Sequence, residues 1–280
     1  MYEIIEKRTL TPVTKVIVIA APLVARAAKA GQFVMLRARS SGERIPVTIT
    51  DFDAEKGTIT IVVQEVGVTS KMIGALEVGE SFTDFAGPMG EPITLAGNGH
   101  TICVGGGFGA GAILTILKAL KDKPGRTTAI VGARNAELLI LGDVLEGVAD
   151  QIFLCTDDGS KGYKGFVTGK LQELINAGET IDEVIAVGPM MMMRAVAGVT
   201  TPAGIKTQVS LDPIMVDGTG MCGACRVTVD GETLFACVDG PFFEAAKVNF
   251  DELVRRNRIY KDEEADALNR YNSECHRPVS

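Results

Sequence analysis

The first hundred residues alternate apolar and polar positions over short runs. Residues 14–20, 32–37, 45–50 and 58–64 are rich in Val, Ile and Thr and are separated by Gly, Asp or Lys. A period of two with β-branched side chains predicts half-buried strands, and several at close spacing predict a small β-barrel over residues 1–98. The period then changes. An apolar run at 101–104 leads through Gly105-Gly-Gly-Phe-Gly-Ala-Gly111 into 112–120, where apolar residues recur at helical spacing. Further apolar runs at 128–132, 151–155 and 183–188 read as parallel strands, so 99–205 is expected to form a doubly wound α/β domain. Residues 206–245 carry closely spaced cysteines and are too few to hold together without a metal or a host domain. The remainder, 246–280, is charged and is read as a solvated tail that includes Cys275, with a docking helix as the alternative.

With 280 residues the chain can form two domains and a small appendage, and 46% hydrophobic content marks it as globular. A net charge of −7 argues against nucleic acid, which would require clustered Lys and Arg. The start lacks the basic residues and apolar run of a secretory signal, and no stretch has the length of a membrane span, so a cytoplasmic location is expected. There, six cysteines point to metal or core roles rather than disulfides. Cys103 and Cys155 lie in apolar runs and read as core.

The chemistry concentrates in Asp217-Gly-Thr-Gly-Met-Cys222-Gly-Ala-Cys225 and the later Cys237, an Asp-x4-Cys-x2-Cys-x11-Cys pattern. A plant-type two-iron site has the same opening spacing with cysteine in the first place. Carboxylate is also anionic and bonds iron, and glycines at 218, 220 and 223 permit a tight loop. Asp217, Cys222, Cys225 and Cys237 are therefore read as ligands of a [2Fe-2S] cluster. Zinc on the C-x2-C pair, burial of the cysteines as apolar residues, and Asp217 as a simple Asp-Gly turn are the alternatives. The histidines, His100 and His276, stand at no zinc-knuckle spacing.

A glycine-rich turn between strand and helix lets backbone approach a pyrophosphate, which makes Gly105, Gly107 and Gly109 candidate dinucleotide contacts, with Ala110 at the last motif position. A turn of this kind without a ligand is the alternative. The next strand ends in Gly132-Ala-Arg134 and the third in Cys155-Thr-Asp157-Asp158. Two carboxylates at a strand end accept hydrogen bonds from a ribose and repel a 2′-phosphate, which favours NADH over NADPH; Lys161 and Lys164 act against this.

The order of barrel, nucleotide domain and terminal cysteine loop resembles the ferredoxin-NADP reductase superfamily over nearly the whole chain. Within it, the chain looks like the electron-transfer subunits of dihydroorotate dehydrogenase. It is more closely similar to the small subunits of NADH-dependent ferredoxin:NADP oxidoreductase, also called sulfide dehydrogenase. The resemblance implies that Arg44-Ile-Pro46-Val47-Thr48 is the FAD motif, Arg44 pairing with the pyrophosphate and Thr48 facing the isoalloxazine. It implies a second flavin loop at Gly67, Thr69 and Ser70, and a nicotinamide-side turn at Gly188-Pro189. The dihydroorotate subunits carry four cysteines at the cluster, whereas a carboxylate at Asp217 resembles the bifurcating enzyme.

The implied function is transfer of electrons between NAD(H), FAD and a [2Fe-2S] cluster to a larger subunit that holds FAD and [4Fe-4S] clusters and binds NADPH and ferredoxin. No acid-base pair or nucleophile is called for. A dihydroorotate dehydrogenase electron-transfer subunit and a metal-stabilised nucleotide-binding module without turnover are the competing readings.

Overall fold

A computed structural model describes residues 2–275. The N-terminal half contains β1 (Tyr2–Thr11), β2 (Thr14–Ala20), α1 (Pro22–Ala27), β3 (Phe33–Arg37), β4 (Ile45–Asp53), β5 (Thr58–Gln64), α2 (Val68–Gly74), β6 (Ser81–Phe82) and β7 (Asp84–Met89). Only Thr83 separates β6 from β7, yet they occupy opposite edges of the strand order β6-β1-β2-β5-β4-β3-β7. The antiparallel sheet must roll up until its edges approach, giving a nearly closed barrel filled by Ile4, Ile17, Ile19, Leu36, Ile49 and Ile61. Strand β1 escaped the sequence reading because register shifts between Ile4 and Glu6 and between Thr9 and Thr11 break its alternation.

The second layer system contains β8 (His100–Gly106), α3 (Gly109–Leu120), β9 (Arg126–Ala133), α4 (Gly142–Glu146), β10 (Gln151–Thr156), β11 (Tyr163–Lys164), α5 (Val167–Asn176), β12 (Glu183–Val187), α6 (Met190–Thr200) and β13 (Lys206–Ser210). The sheet order is β11-β10-β9-β8-β12-β13, parallel throughout, with one further antiparallel strand beyond β13. The order reverses between β8 and β12, and a crevice opens at such a reversal beyond the carboxyl ends of the strands. Helix α3 lies between this sheet and the barrel. A Cβ on Gly111 would stand 2.8 Å from Thr50 Oγ1 of β4, and Lys118 Nζ meets Asp51 Oδ2 at 2.6 Å. Barrel and sheet together form the ferredoxin-NADP reductase-like architecture that the motif order implies.

The cysteine segment is tied into the sheet at both ends. It leaves β13 and passes through the hairpin β14 (Arg226–Val229) and β15 (Glu232–Phe235). It then returns as β16 (Phe242–Glu244), which pairs antiparallel with β13. Asp230 and Gly231 make the hairpin turn with φ of 54° and 80°, the left-handed pair that a two-residue connection requires.

The solvated tail expected after 246 is corrected for its first part. Helix α7 (Phe250–Arg256), capped by the Asn249 side chain, buries Phe250 and Leu253 in the same core as Val227, Val229 and Ala236. Its apolar positions were hidden among charges. Helix α8 (Lys261–Cys275) is largely exposed and touches the barrel through Lys71 Nζ and Asn272 Oδ1 at 2.8 Å. His276 lies outside the described residues, as does the Cys275 side chain. Cys103 and Cys155 are buried, and burial raises both thiols. No helix among the described residues is long and apolar enough to cross a membrane.

Candidate functional site

The nucleotide candidates meet at the sheet reversal. Gly105 of β8 pairs with Val187 of β12, so the 105–109 loop and Gly188-Pro189 leave the sheet side by side. Backbone lies on backbone here. A Cβ on Gly188 would stand 3.0 Å from Gly106 Cα and N, and one on Gly105 would stand 3.0 Å from Ala110 Cα. Packing alone thus accounts for those glycines. Gly107 differs: its φ is 55° and nothing lies within 4 Å of a Cβ placed there, so it faces open space. No side chain caps the N-terminus of α3, which leaves backbone donors for an anion. A crevice at this point is lined by Thr14 and Gln64 of the barrel and by Gly107, Phe108, Leu138 and Ile140.

Asp157 and Asp158 leave β10 beside Arg134, their amides donating to the Ala133 and Arg134 carbonyls. They are not equivalent. Asp158 Oδ1 accepts from Ser160 N at 2.9 Å and Ser160 Oγ at 2.6 Å, and these bonds hold its carboxyl below the ordinary carboxylate range. The exposed Asp157 side chain has no partner among the described residues, which makes it the freer acceptor for a ribose.

The flavin candidates occupy one side of the barrel. Ile45, Pro46, Val47 and Thr48 are all half-buried, whereas a strand with one face in a core and the other in water would alternate. Their backbones pair with β3, Pro46 opposite Met35 and Thr48 opposite Phe33. Arg44 Nε approaches Asp84 Oδ2 at 2.8 Å and Arg37 Nη2 approaches the same oxygen at 3.8 Å. Two guanidiniums on one carboxylate leave excess positive charge. The Nε atoms of Arg37 and Arg44 are buried without hydrogen-bonded partners, Arg44 Nε being close to Asp84 but misaligned. Unsatisfied donors with excess positive charge suit a pyrophosphate. No local signal ties Asp84 to Arg44, so sequence reasoning missed it.

In the second flavin loop Ser70 Oγ accepts from the backbone N–H groups of Val66 and Gly67, both at 2.9 Å, and donates to Gly67 O at 3.0 Å. Its hydroxyl therefore folds the loop, leaving the amides around Val68 and Thr69 as the phosphate donors on offer. Gly42, just before Arg44, lies against α2; a Cβ there would be 3.6 Å from Met72 Sδ.

The four candidate metal ligands share one loop system. Asp217 Oδ1 accepts from Thr219 N at 2.8 Å and Oδ2 from Cys222 N at 2.9 Å, and these donors hold its carboxyl below the usual range. The Cys225 thiol donates to Cys237 Sγ at 3.2 Å, with both side chains buried, while Cys222 is exposed. Burial, together with the Cys225 thiol, pushes the Cys237 thiol well up, and the Gly220 amide opposes this by donating to it.

Among the described residues no group of three or more His, Cys, Asp or Glu side chains closes into a metal cage. The donor set still fits an iron–sulfur cluster. It comprises an ionised carboxylate with lone pairs to spare, two sulfurs in contact, and a third on the same loop; a bound cation deprotonates such thiols. Among the described residues zinc gains no imidazole, because His100 is engaged in the sheet with Thr128 Oγ1 at 2.8 Å and Thr180 O at 3.1 Å. The loop also abuts the barrel: a Cβ on Gly218 would lie 2.6 Å from Met35 Cγ and from Met89 Sδ.

Residues 212–249 match the iron-sulfur cluster binding domain of dihydroorotate dehydrogenase B. An uncharacterized protein in the adh 3′ region of Clostridium beijerinckii is 46% identical over 95% of this chain and 93% of its own length. A dihydroorotate dehydrogenase B (NAD(+)) electron transfer subunit homolog of Thermotoga maritima is 42% identical over 89% of this chain and 88% of its own. Among solved structures, a chain of an NADH-dependent reduced ferredoxin-NADP oxidoreductase, studied for flavin-based electron bifurcation, superposes with a TM-score of 0.91. It is 39% identical, covering 97% of this chain and 98% of that one.

Proposed function

Because the chain belongs to the family of dihydroorotate dehydrogenase B electron-transfer subunits and their homologues, we propose that it is the NADH-side subunit of a bifurcating ferredoxin:NADP oxidoreductase. It is a subunit of a flavin and iron–sulfur oxidoreductase that passes electrons to a larger partner. When bound, FAD exchanges electron pairs with a nicotinamide and single electrons with a cluster.

The observation that carries the reading is the position of β3. Its Met35 pairs with Pro46 of the flavin strand and packs against Gly218 of the cluster loop, while α3, opened by the glycine loop, packs on β4 through Gly111 and Thr50. Helix α3 and the cysteine loop thus both pack against one pair of strands, β3 and the flavin strand β4. In this reading Arg44 holds the FAD pyrophosphate, Pro46, Val47 and Thr48 flank the isoalloxazine, and the loop of Gly67, Thr69 and Ser70 supplies amides. NADH lies across Gly105, Gly107 and Gly109 with its nicotinamide at Gly188-Pro189 and its adenosine ribose at Arg134, Asp157 and Asp158. Asp217, Cys222, Cys225 and Cys237 hold a [2Fe-2S] cluster. Met221 is 89% exposed and Val216 55% exposed beside the exposed Cys222, which suits a face covered by the partner. That partner is proposed to be a larger FAD and [4Fe-4S] subunit that binds NADPH and ferredoxin.

The match of 212–249 also supports the dihydroorotate reading; Asp217 in place of a fourth cysteine favours the first. The test is anaerobic optical and EPR titration of the purified protein with NADH and, separately, with NADPH. Flavin bleaching and a two-iron signal with NADH are expected. A colourless zinc protein, or flavin without any cluster signal under dithionite, would overturn the reading.

A further inference from the structure

The short connection between Cys222 and Cys225 is gripped from outside by two guanidiniums. Arg226 Nη1 donates to the Gly223 carbonyl at 3.0 Å, and Arg256 Nη2 donates to the Ala224 carbonyl at 3.2 Å from 32 residues further along the chain. Both arginines line a surface groove with Pro213, Ile214, Ile259 and Tyr260. They are held differently. Arg226 is exposed, whereas Arg256 projects from α7, whose Phe250 and Leu253 are buried, and its Nε is itself enclosed.

Two consequences follow from elementary chemistry. In a trans peptide the C=O and N–H point in opposite directions. Drawing the carbonyls of Gly223 and Ala224 towards the groove therefore turns the amides of Ala224 and Cys225 to the other side of the loop. Amide hydrogen bonds to cluster sulfurs and nearby positive charge both set the potential of an iron–sulfur centre. One-electron reduction adds a negative charge, and two guanidinium cations on the loop between the candidate ligands favour the reduced form.

We propose that Arg256, assisted by Arg226, is a positioning residue that fixes the Cys222–Cys225 loop and raises the reduction potential of the cluster it carries. The inference rests on the cluster reading above. Arg256 has the larger effect, since its surroundings exclude more solvent, while the charge on Arg226 is screened by water and salt.

The test is an EPR-monitored redox titration of the full-length protein with FAD bound, comparing wild type, Arg256→Gln, Arg256→Lys and Arg226→Gln. The expected result is a more negative cluster midpoint in Arg256→Gln, partial return in Arg256→Lys, and a smaller negative shift in Arg226→Gln that shrinks at high salt, with the flavin midpoint unmoved throughout. A cluster midpoint equal to wild type in Arg256→Gln, with its EPR signal intact, would overturn the proposal. Should Arg256→Gln fail to retain a cluster, Arg226→Glu decides: a negative shift larger than that of Arg226→Gln supports the proposal and an unmoved midpoint overturns it. A wild-type protein without a cluster signal would instead overturn the reading beneath it.

Discussion

The Cys225 thiol reaches Cys237 Sγ at 3.2 Å across twelve positions of chain, because the hairpin between them folds back on itself. Contact of two buried sulfurs predicts that they act together. Cys225→Ser or Cys237→Ser is expected to abolish bound iron, with Cys222→Ser close behind. Cys103→Ala and Cys155→Ala, which alter buried core thiols of the sheet, leave iron unchanged. Iron and acid-labile sulfide per chain is the measurement.

Asp217 accepts two loop amides and is also the proposed fourth ligand. Asp217→Cys is expected to retain iron and change the EPR spectrum, because thiolate is a softer donor than carboxylate. Asp217→Ala is expected to lose iron. An unchanged spectrum in Asp217→Cys would assign the residue to the loop turn alone.

Gly107 and Gly188 separate ligand contact from packing. Gly107→Ala places a methyl in open space at a φ of 55°, so the fold survives at a cost of about 1–2 kcal/mol, while NADH affinity falls by about tenfold or more through the blocked approach. Gly188→Ala meets Gly106 backbone at 3.0 Å and is expected to lower thermal stability as well. Melting curves and NADH titrations of the two variants distinguish them.

Asp157, with its free carboxylate, is expected to control the choice of nucleotide more than Asp158, which is held by Ser160. Asp157→Ala narrows the preference for NADH over NADPH, read as the ratio of kcat/KM values. Asp158→Ala alters that ratio less and loosens the 157–161 turn.

His100 sets a pH limit on stability. Burial pushes its imidazole below the ordinary value of 6.5, opposed by the Thr180 carbonyl. The unfolded chain therefore binds the proton more readily than the folded one. Stability is lost as pH falls through about 6.5 towards the lower folded value, and the loss is complete below it. The Tm of wild type is expected to fall more steeply than that of His100→Gln between neutral and acidic pH.

The sequence by itself indicated most of the element types and the candidate chemistry. Alternation in 14–20 and 58–64, the shift to helical spacing after Gly111, and the Asp217-to-Cys237 spacing are local properties, set by side-chain direction and by which atoms bond metal. It also sufficed for the family resemblance, since motif order is linear information. Tertiary structure alone decided which parts meet. That Asp84 takes Arg44, that Met35 stands between Pro46 and Gly218, and that Arg256 grips Ala224 all depend on closure of the barrel and docking of α7. Such contacts join positions from 11 to 183 residues apart through the packing of whole elements on shared apolar surface, and no spacing along the chain encodes them. The charged face of α7 concealed Phe250 and Leu253 for the same reason: only a partner surface reveals which side of a short helix is buried.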